Sequence, residues 1–238
     1  MVKVSIIIPV YNESKYIVAT LKAIREQGFK DIEVILADNG STDGTREIAR
    51  KTYPNIKVVV DKNLGFVGRL SNSGSKIAKG ELFLFIDGDT AITNTLLDSY
   101  CEHFKDHPKT VAATGPIVPL EDTGIGIKLG FKVVSVGLIR FFMLIGKPSI
   151  ISSNFMVRAS AYRKVKGFNP NMKTYYDWDI SKRLANIGRL DFVKGAVART
   201  SIRRVKKWGM LKYFAYHASN VIIYNLFHKS RDDYEVIR

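Results

Sequence analysis

The 238-residue sequence has one cysteine, Cys101, and four histidines. A single thiol excludes an internal disulfide framework and a clustered cysteine zinc site, and it suits a reducing compartment. The histidines do not fall at metal-ligand spacing. Long apolar runs are missing too. The longest stretch without a formal charge, residues 213–228, includes two His, two Asn and a Ser, and is shorter than the roughly 20 apolar residues of a spanning helix. The apolar run 6–10 is short, contains Pro9 and leads straight into Tyr-Asn-Glu, so it does not read as a signal peptide. Two glycine-rich loops are also absent. Val10-Tyr11-Asn12-Glu13 lacks the glycines that let a dinucleotide pyrophosphate approach the backbone, and no GxxxxGK[ST] loop occurs. Rossmann oxidoreductases and P-loop NTPases are thereby disfavoured.

Acidic residues are scarce in one region only. Residues 123–231 hold 3 acidic against 21 basic side chains, whereas 1–122 are near neutral, with 16 acidic and 15 basic. This asymmetry suggests fold and chemistry in the first half and an anionic partner for the second, such as nucleic acid, a lipid surface or polyphosphate. With 46% apolar and 25% charged residues, the composition is that of a globular chain.

The first 120 residues alternate short β-branched runs with helical patterns. Strands are expected at 2–9, 32–37, 56–60 and 81–86, and helices at 14–27, 43–51, about 67–79 and 93–105. Nearly continuous apolar strands imply a parallel sheet covered on both faces, with function at the strands' C-terminal ends. Residues 124–146 are apolar but broken by glycines, Lys128, Lys132 and Arg140, and read as an amphipathic or interfacial excursion. Beyond it the pattern predicts a strand at 150–157, a helix at 177–186, a strand around 190–197 and a final helix at about 208–227. Neither a repeat nor a linker interrupts the chain, which favours one domain.

Two segments carry candidate chemistry. After the second strand come Asp38-Asn39-Gly40-Ser41-Thr42-Asp43-Gly44. A turn with a helix cap explains them; equally, Asp38 at a strand end is placed to accept from the ring N–H groups of a nucleobase. The fourth strand ends in Asp87-Gly88-Asp89. A solvated turn is one reading. The other is a hard divalent cation held by two carboxylates, with sites left open for a diphosphate.

In order, Ser5-Ile-Ile-Ile-Pro9-Val-Tyr11-Asn12-Glu13, the Asp38 loop, Asn63-Leu-Gly65-Phe, Arg69, Asn72, Ala78-Lys-Gly80-Glu81 and Asp87-Gly-Asp89 closely resemble glycosyltransferase family 2. The resemblance implies an inverting nucleotide-sugar transferase of the GT-A type, with a Rossmann-like, mostly parallel α/β sheet. It covers 3–120 well and continues more weakly to about 200. It implies a catalytic domain over 1–200, with a nucleotide-sugar-binding half at 1–120 and an acceptor-side half at 121–200, followed by a basic amphipathic segment at 201–238. Carried over by position, Pro9, Tyr11 and Glu13 would line the nucleoside pocket with Asp38 at the base. Arg69 would lie in the donor-side loop, and Asp87 would meet ribose or metal across Gly88. Asp89 would bind Mg2+ or Mn2+ bridging the diphosphate. Asn154 to Arg158 and Gly167-Phe168 resemble the acceptor-side segment. Tyr175 to Arg183 resemble the motif that supplies the base, which makes Asp177 the catalytic candidate, with Asp179 as the alternative and Trp178 beside them.

Arg203, Arg204, Lys206, Lys207 and Trp208 precede an approximate apolar stripe at Leu211, Phe214, Ala218, Val221 and Ile222. A helix packed on the domain and an amphipathic helix at an anionic membrane both fit. Arg204, Lys207 and Trp208 faintly resemble a motif of processive family members and are candidates for diphosphate or acceptor contact. The expected partners are a UDP- or GDP-sugar, a lipid-linked or glycan acceptor and an anionic membrane surface, and the expected location is the cytoplasmic face of the membrane. A nucleic-acid-binding protein and a sugar nucleotidyltransferase are the alternatives. Neither a nucleic-acid-binding motif nor the nucleotidyltransferase's glycine-rich signature is found.

Overall fold

A computed structural model describes residues 3–62, 65–147 and 149–227. Four strands open the chain: β1 (Val4–Val10), β2 (Ile32–Asp38), β3 (Lys57–Val60) and β4 (Leu82–Phe85). All pair in parallel, as their unbroken apolar runs predict. Between them lie α1 (Ile17–Arg25), α2 (Thr45–Thr52) and α3 (Val67–Lys76). Ile6, Ile7 and Ile8 are fully buried, so successive residues of β1 face helices on opposite sides of the sheet. Burying each such side chain contributes about 2 kcal/mol.

The chain then forms β5 (Thr90–Ile92), α4 (Leu96–Asp106), β6 (Thr110–Thr114) and β7 (Ile117–Pro119). A long helical arm follows: α5 (Ile125–Lys132), a π-helical turn (Val133–Leu138) and α6 (Ile139–Leu144). Next come β8 (Phe155–Arg158), α7 (Ala159–Lys164), α8 (Tyr176–Ala185), β9 (Arg189–Phe192), β10 (Ala198–Thr200), α9 (Arg203–Trp208) and α10 (Met210–Phe227).

The main sheet has the order β3-β2-β1-β4-β8-β6-β9, and only β8 runs against its neighbours. A small sheet, β5-β10-β7, stands beside it. Thus the segment after residue 120 places β8 between β4 and β6 in the same sheet, and the C-terminal ends of β1, β2 and β4 share one edge.

Several expected boundaries shift for physical reasons. The helix expected from residue 14 begins at Ile17, because the amides of Glu13 and Ser14 donate to Thr45 Oγ1 and Asp43 Oδ2 across the neighbouring loop. The strand expected at 150–157 is only Phe155–Arg158; residues 151–154 turn instead, closed by the Asn154 amide on the Ile151 carbonyl. The strand expected around 190–197 is β9 and ends at Phe192; residues 193–197 turn, and the next strand, β10, belongs to the other sheet. The last helix, expected at about 208–227, is α10 from Met210 to Phe227; the basic cluster before it forms a separate short helix, α9, divided from α10 at Gly209, which takes φ 78°. Of the apolar stripe on α10, Leu211 is exposed; the side chains of Phe214, Ala218, Val221 and Ile222 lie outside the described residues, as do Asn63 and Leu64.

Candidate active site

Asp38, the last residue of β2, is fully buried. Its carboxylate accepts from the Ser41 hydroxyl and from the Gly40 and Ser41 amides, with the Arg46 guanidinium 3.6 Å away. The loop therefore wraps around this side chain and fixes it at the strand end, so a structural and a binding role coexist. Its neighbour Asn39 is buried, with Oδ1 lacking a hydrogen-bond partner among the described residues. A buried orphan acceptor costs stability unless a ligand satisfies it, and nothing in the sequence pattern had singled Asn39 out. Asn12 ties the loops together: its Oδ1 accepts from the Thr42 amide and its amide donates to Ser41 Oγ. Its φ of 54° lies in the left-handed region, which Asn enters more readily than most residues other than glycine. Pro9 and Tyr11 flank the same exit from β1. Asp43 is held near a pKa of about 2; burial works against this, but bonds from Thr45 and Ser14 outweigh it.

Beyond β4, Asp87 is half-buried and Asp89 buried. Gly88 between them is required by packing, since a Cβ there would stand 2.7 Å from Val10 Cγ1 and 3.0 Å from Glu13 Cγ. Glu13 and Asp89 converge on a residue that the motif reading left without a role. Arg203, the first residue of α9, donates through Nη1 and Nη2 to Glu13, at 2.8 and 2.5 Å, and lies 3.0 Å from Asp89 Oδ2. It also packs over the Tyr16 ring at 5.1 Å. Burial alone would lower its pKa, but the bonds to Glu13 and the two carboxylate charges raise it. The pattern placed Arg203 only in a basic cluster, because its partners are remote in sequence.

Asp177 sits in the first turn of α8, and its Oδ1 accepts from the Trp178 amide at 2.9 Å. Burial dominates its titration and pushes its pKa up to about 6, despite backbone hydrogen bonds that favour the charged form. The preceding residue but one, Tyr175, holds φ 63° and donates to the His217 carbonyl of α10. Asp179 is instead engaged by Arg183, which also bonds the Val165 and Gly167 carbonyls. That network ties α8 to the loop after α7 and gives Asp179 a structural role. Trp178 packs edge-on against Phe142 of the arm, with its buried Nε1 unpartnered among the described residues.

Burial raises the pKa of the Tyr213 hydroxyl on α10; the charges of Asp177 and Asp87 add to this and Arg204 opposes it. Arg204 and Lys212 flank the Trp208 ring, which also meets Tyr216. Lys207 is exposed. Arg69 lies farther out on α3, its Nε 3.6 Å from Asp61. Asn72 clamps the halves, with its Nδ2 donating to the Phe168 carbonyl and its Oδ1 accepting from Tyr162 and the Phe168 amide.

Among the described residues, no group of three or more His, Cys, Asp or Glu side chains is placed to hold a metal ion. Two carboxylates leaving the remaining positions to phosphate and water is the donor set that suits Mg2+ or Mn2+ on a diphosphate. The chemistry of Asp87 and Asp89 therefore fits such an ion.

The sequence pattern described as Glycosyl transferase family 2 matches residues 5–166. The chain belongs to glycosyltransferase family 2. A chondroitin synthase of Escherichia coli is 27% identical over 191 residues, covering 78% of this chain and 27% of that protein. Staphylococcus aureus TarS 1-349, solved in complex with UDP-GlcNAc, superposes with a TM-score of 0.69 at 23% identity, covering 94% of this chain and 67% of that one. The mannosyltransferase PcManGT of Pyrobaculum calidifontis, solved with GDP-Man and Mn2+, gives 0.65 at 18% identity, covering 91% and 64%. These likenesses show the family's mixed α/β GT-A fold, with its mostly parallel central sheet. The chain spans about a third or less of the length of the relatives it matches by sequence.

Proposed function

We propose that this family 2 domain is a metal-dependent inverting glycosyltransferase that moves a sugar from a UDP- or GDP-sugar to an acceptor at a membrane surface. The observation that carries the reading is Asp177 in the first turn of α8, its carboxyl pushed up to about 6, with its charge and that of Asp87 both bearing on the Tyr213 hydroxyl. The complexes of TarS with UDP-GlcNAc and of PcManGT with GDP-Man and Mn2+ support the donor class and the ion.

Each residue has a distinct task. Asp38 and Asn39 offer buried acceptors to the N–H groups of the base, and Pro9, Tyr11 and Glu13 bound the nucleoside side of the cleft. Asp87 and Asp89 would hold Mg2+ or Mn2+, which when bound offsets charge on the departing nucleoside diphosphate. Asp177 takes the acceptor hydroxyl's proton on the face opposite that leaving group. A lipid phosphate acceptor is already anionic and needs no base. Arg204, Lys207 and Trp208 remain the candidates for acceptor and diphosphate contact.

The membrane reading is supported by the arm and the start of α10. Ile125, Leu129, Phe141, Leu144 and Leu211 are exposed, Ile125 and Leu144 at 85% and 86%, with Lys128, Lys132, Arg140 and Lys207 among them. Apolar side chains interleaved with basic ones suit an anionic leaflet, each well-placed cation contributing about 1 kcal/mol. Among the described residues no helix is long and apolar enough to cross a membrane. The proposed mode is peripheral contact through this surface, and the proposed location is the cytoplasmic leaflet.

The test is a panel of nucleotide sugars with Mg2+ or Mn2+, following diphosphate release with and without lipid-phosphate acceptors. Metal-dependent release with one UDP- or GDP-sugar is expected; no release across the panel would overturn the proposal. Vesicle binding that exceeds nucleic-acid binding at equal salt is expected in parallel, and the reverse order would favour a nucleic-acid partner for the basic half.

A further inference from the structure

Glu13 and Asp89 are both nearly buried, and one guanidinium serves both. The two bonds are unequal. Glu13 receives two parallel N–H groups, a geometry that adds strength and orientation, whereas Arg203 Nη2 lies 3.0 Å from Asp89 Oδ2. The backbone under Arg203 is separately fixed. The Ser201 amide donates to the Asp89 carbonyl, the Ser201 hydroxyl to Glu121 Oε1 and the Ile202 amide to Glu121 Oε2. Beside the guanidinium lies a cavity of about 210 Å3 lined by Asn12, Ser14, Lys15, Tyr16 and Asp43. The guanidinium thus borders open space on the side of Lys15 and Tyr16.

A divalent cation on Asp89 and a guanidinium on the same carboxylate repel each other, so they compete for it. We propose that Arg203 is a charge-exchange residue of the donor site: it holds Asp89 until a divalent cation with a nucleoside diphosphate arrives, then, still gripped by Glu13, turns to the diphosphate. Arg203 thereby keeps two buried carboxylates compensated before the donor binds, when an unpaired buried charge would be costly. Once the cation takes over Asp89, the same positive charge faces the leaving group. Glu13 becomes the pivot of this exchange rather than a wall of the nucleoside pocket alone. The inference rests on the metal-dependent donor binding proposed above.

Mn2+ binding, read from the paramagnetic resonance of the free ion, tests it in the wild type, Arg203→Met and Arg203→Lys, without nucleotide and with UDP or GDP. Without nucleotide, Arg203→Met is expected to bind Mn2+ about tenfold more tightly, because its competitor is gone. In saturating Mn2+ the same variant is expected to bind the nucleotide about tenfold more weakly, with Arg203→Lys between. A purely structural arginine would not produce opposite changes in the two affinities. Unchanged or weaker Mn2+ binding by Arg203→Met overturns the exchange. Should that variant not fold, a wild-type structure with Mn2+ and UDP or GDP decides. Separation of Arg203 from Asp89 beyond about 4 Å, with the Glu13 pair kept, is expected, and persistence of the Asp89 contact overturns the proposal. Failure of the wild type to bind Mn2+ with either nucleotide is read first, and it overturns the metal reading together with this inference.

Discussion

Asp177 gains proton affinity by burial, and two consequences follow at the scale of that one residue. As a base it is ionised only above about pH 6, so kcat/KM with a hydroxyl acceptor should fall about tenfold per pH unit below that point and level off above it. A profile flat from pH 5 to 8 would remove Asp177 from the rate. Asp177→Asn should lower transfer to a hydroxyl acceptor about 1,000-fold and leave donor binding intact, while transfer to a lipid phosphate would survive; unchanged turnover with the hydroxyl acceptor would remove Asp177 as the base. The sign for stability is opposite to that of an ordinary paired carboxylate. The folded-state pKa of about 6 lies above that of an ordinary aspartate, so the contribution is present below about pH 4 and lost as pH rises through about 6. Asp177→Asn should therefore melt no lower than wild type at pH 8, with any advantage shrinking at pH 4. Asp38, Asp87 and Asp89 could be picked out in the sequence because they follow the ends of apolar strands, and Asp177 through its resemblance to the family's base motif. Arg203 could not be, since its partner Glu13 is 190 positions away and nothing local distinguishes it from Arg204.

At the scale of elements, the four parallel strands were legible because burial on both faces writes a continuous apolar run. Their flanking helices were legible to within a turn. Where side chains from a neighbouring loop capture the backbone, as Asp43 and Thr45 do at residues 13–14, the local pattern overshoots the helix start. That β9 and β10 join different sheets was hidden for another reason: membership of a sheet is decided by partners, not by composition. The arm was legible as amphipathic, but its π-helical turn was not. Its exposed face gives a direct prediction. Ile125→Asp or Leu144→Asp should each weaken binding to anionic vesicles by about tenfold while leaving the melting temperature unchanged, because neither side chain is buried. Equal vesicle binding by both variants and wild type, measured by co-sedimentation, would show that the arm does not meet the lipid.

Across the whole molecule, one sheet carries residues from both charge regimes of the chain, and Asn154 shows how tightly they are joined. Its side chain accepts from the Tyr100 hydroxyl and donates to the Pro116 and Ala196 carbonyls, while its carbonyl accepts from Thr114. Asn154→Ala leaves several buried partners unsatisfied and should cost about 3 kcal/mol, or roughly 6–12 °C in melting temperature for a chain of this size; a loss below 2 °C by calorimetry would contradict that role. Part of what resembled an acceptor segment in sequence is thus a structural hub. The charge asymmetry also gains a location in part: Arg203 reaches back into the near-neutral half, while Lys128, Lys132 and Arg140 of the arm lie among its exposed apolar residues. The account stands on the edge formed by β1, β2 and β4 being a metal-dependent donor site. Calorimetric titration of the wild type and Asp38→Ala with UDP- and GDP-sugars, in Mn2+ and in chelator, measures that most directly. Saturable binding of one donor, dependent on Mn2+ and weakened at least about tenfold by Asp38→Ala, is the predicted result; binding by none of the sugars in Mn2+, or equal binding in chelator, would contradict it.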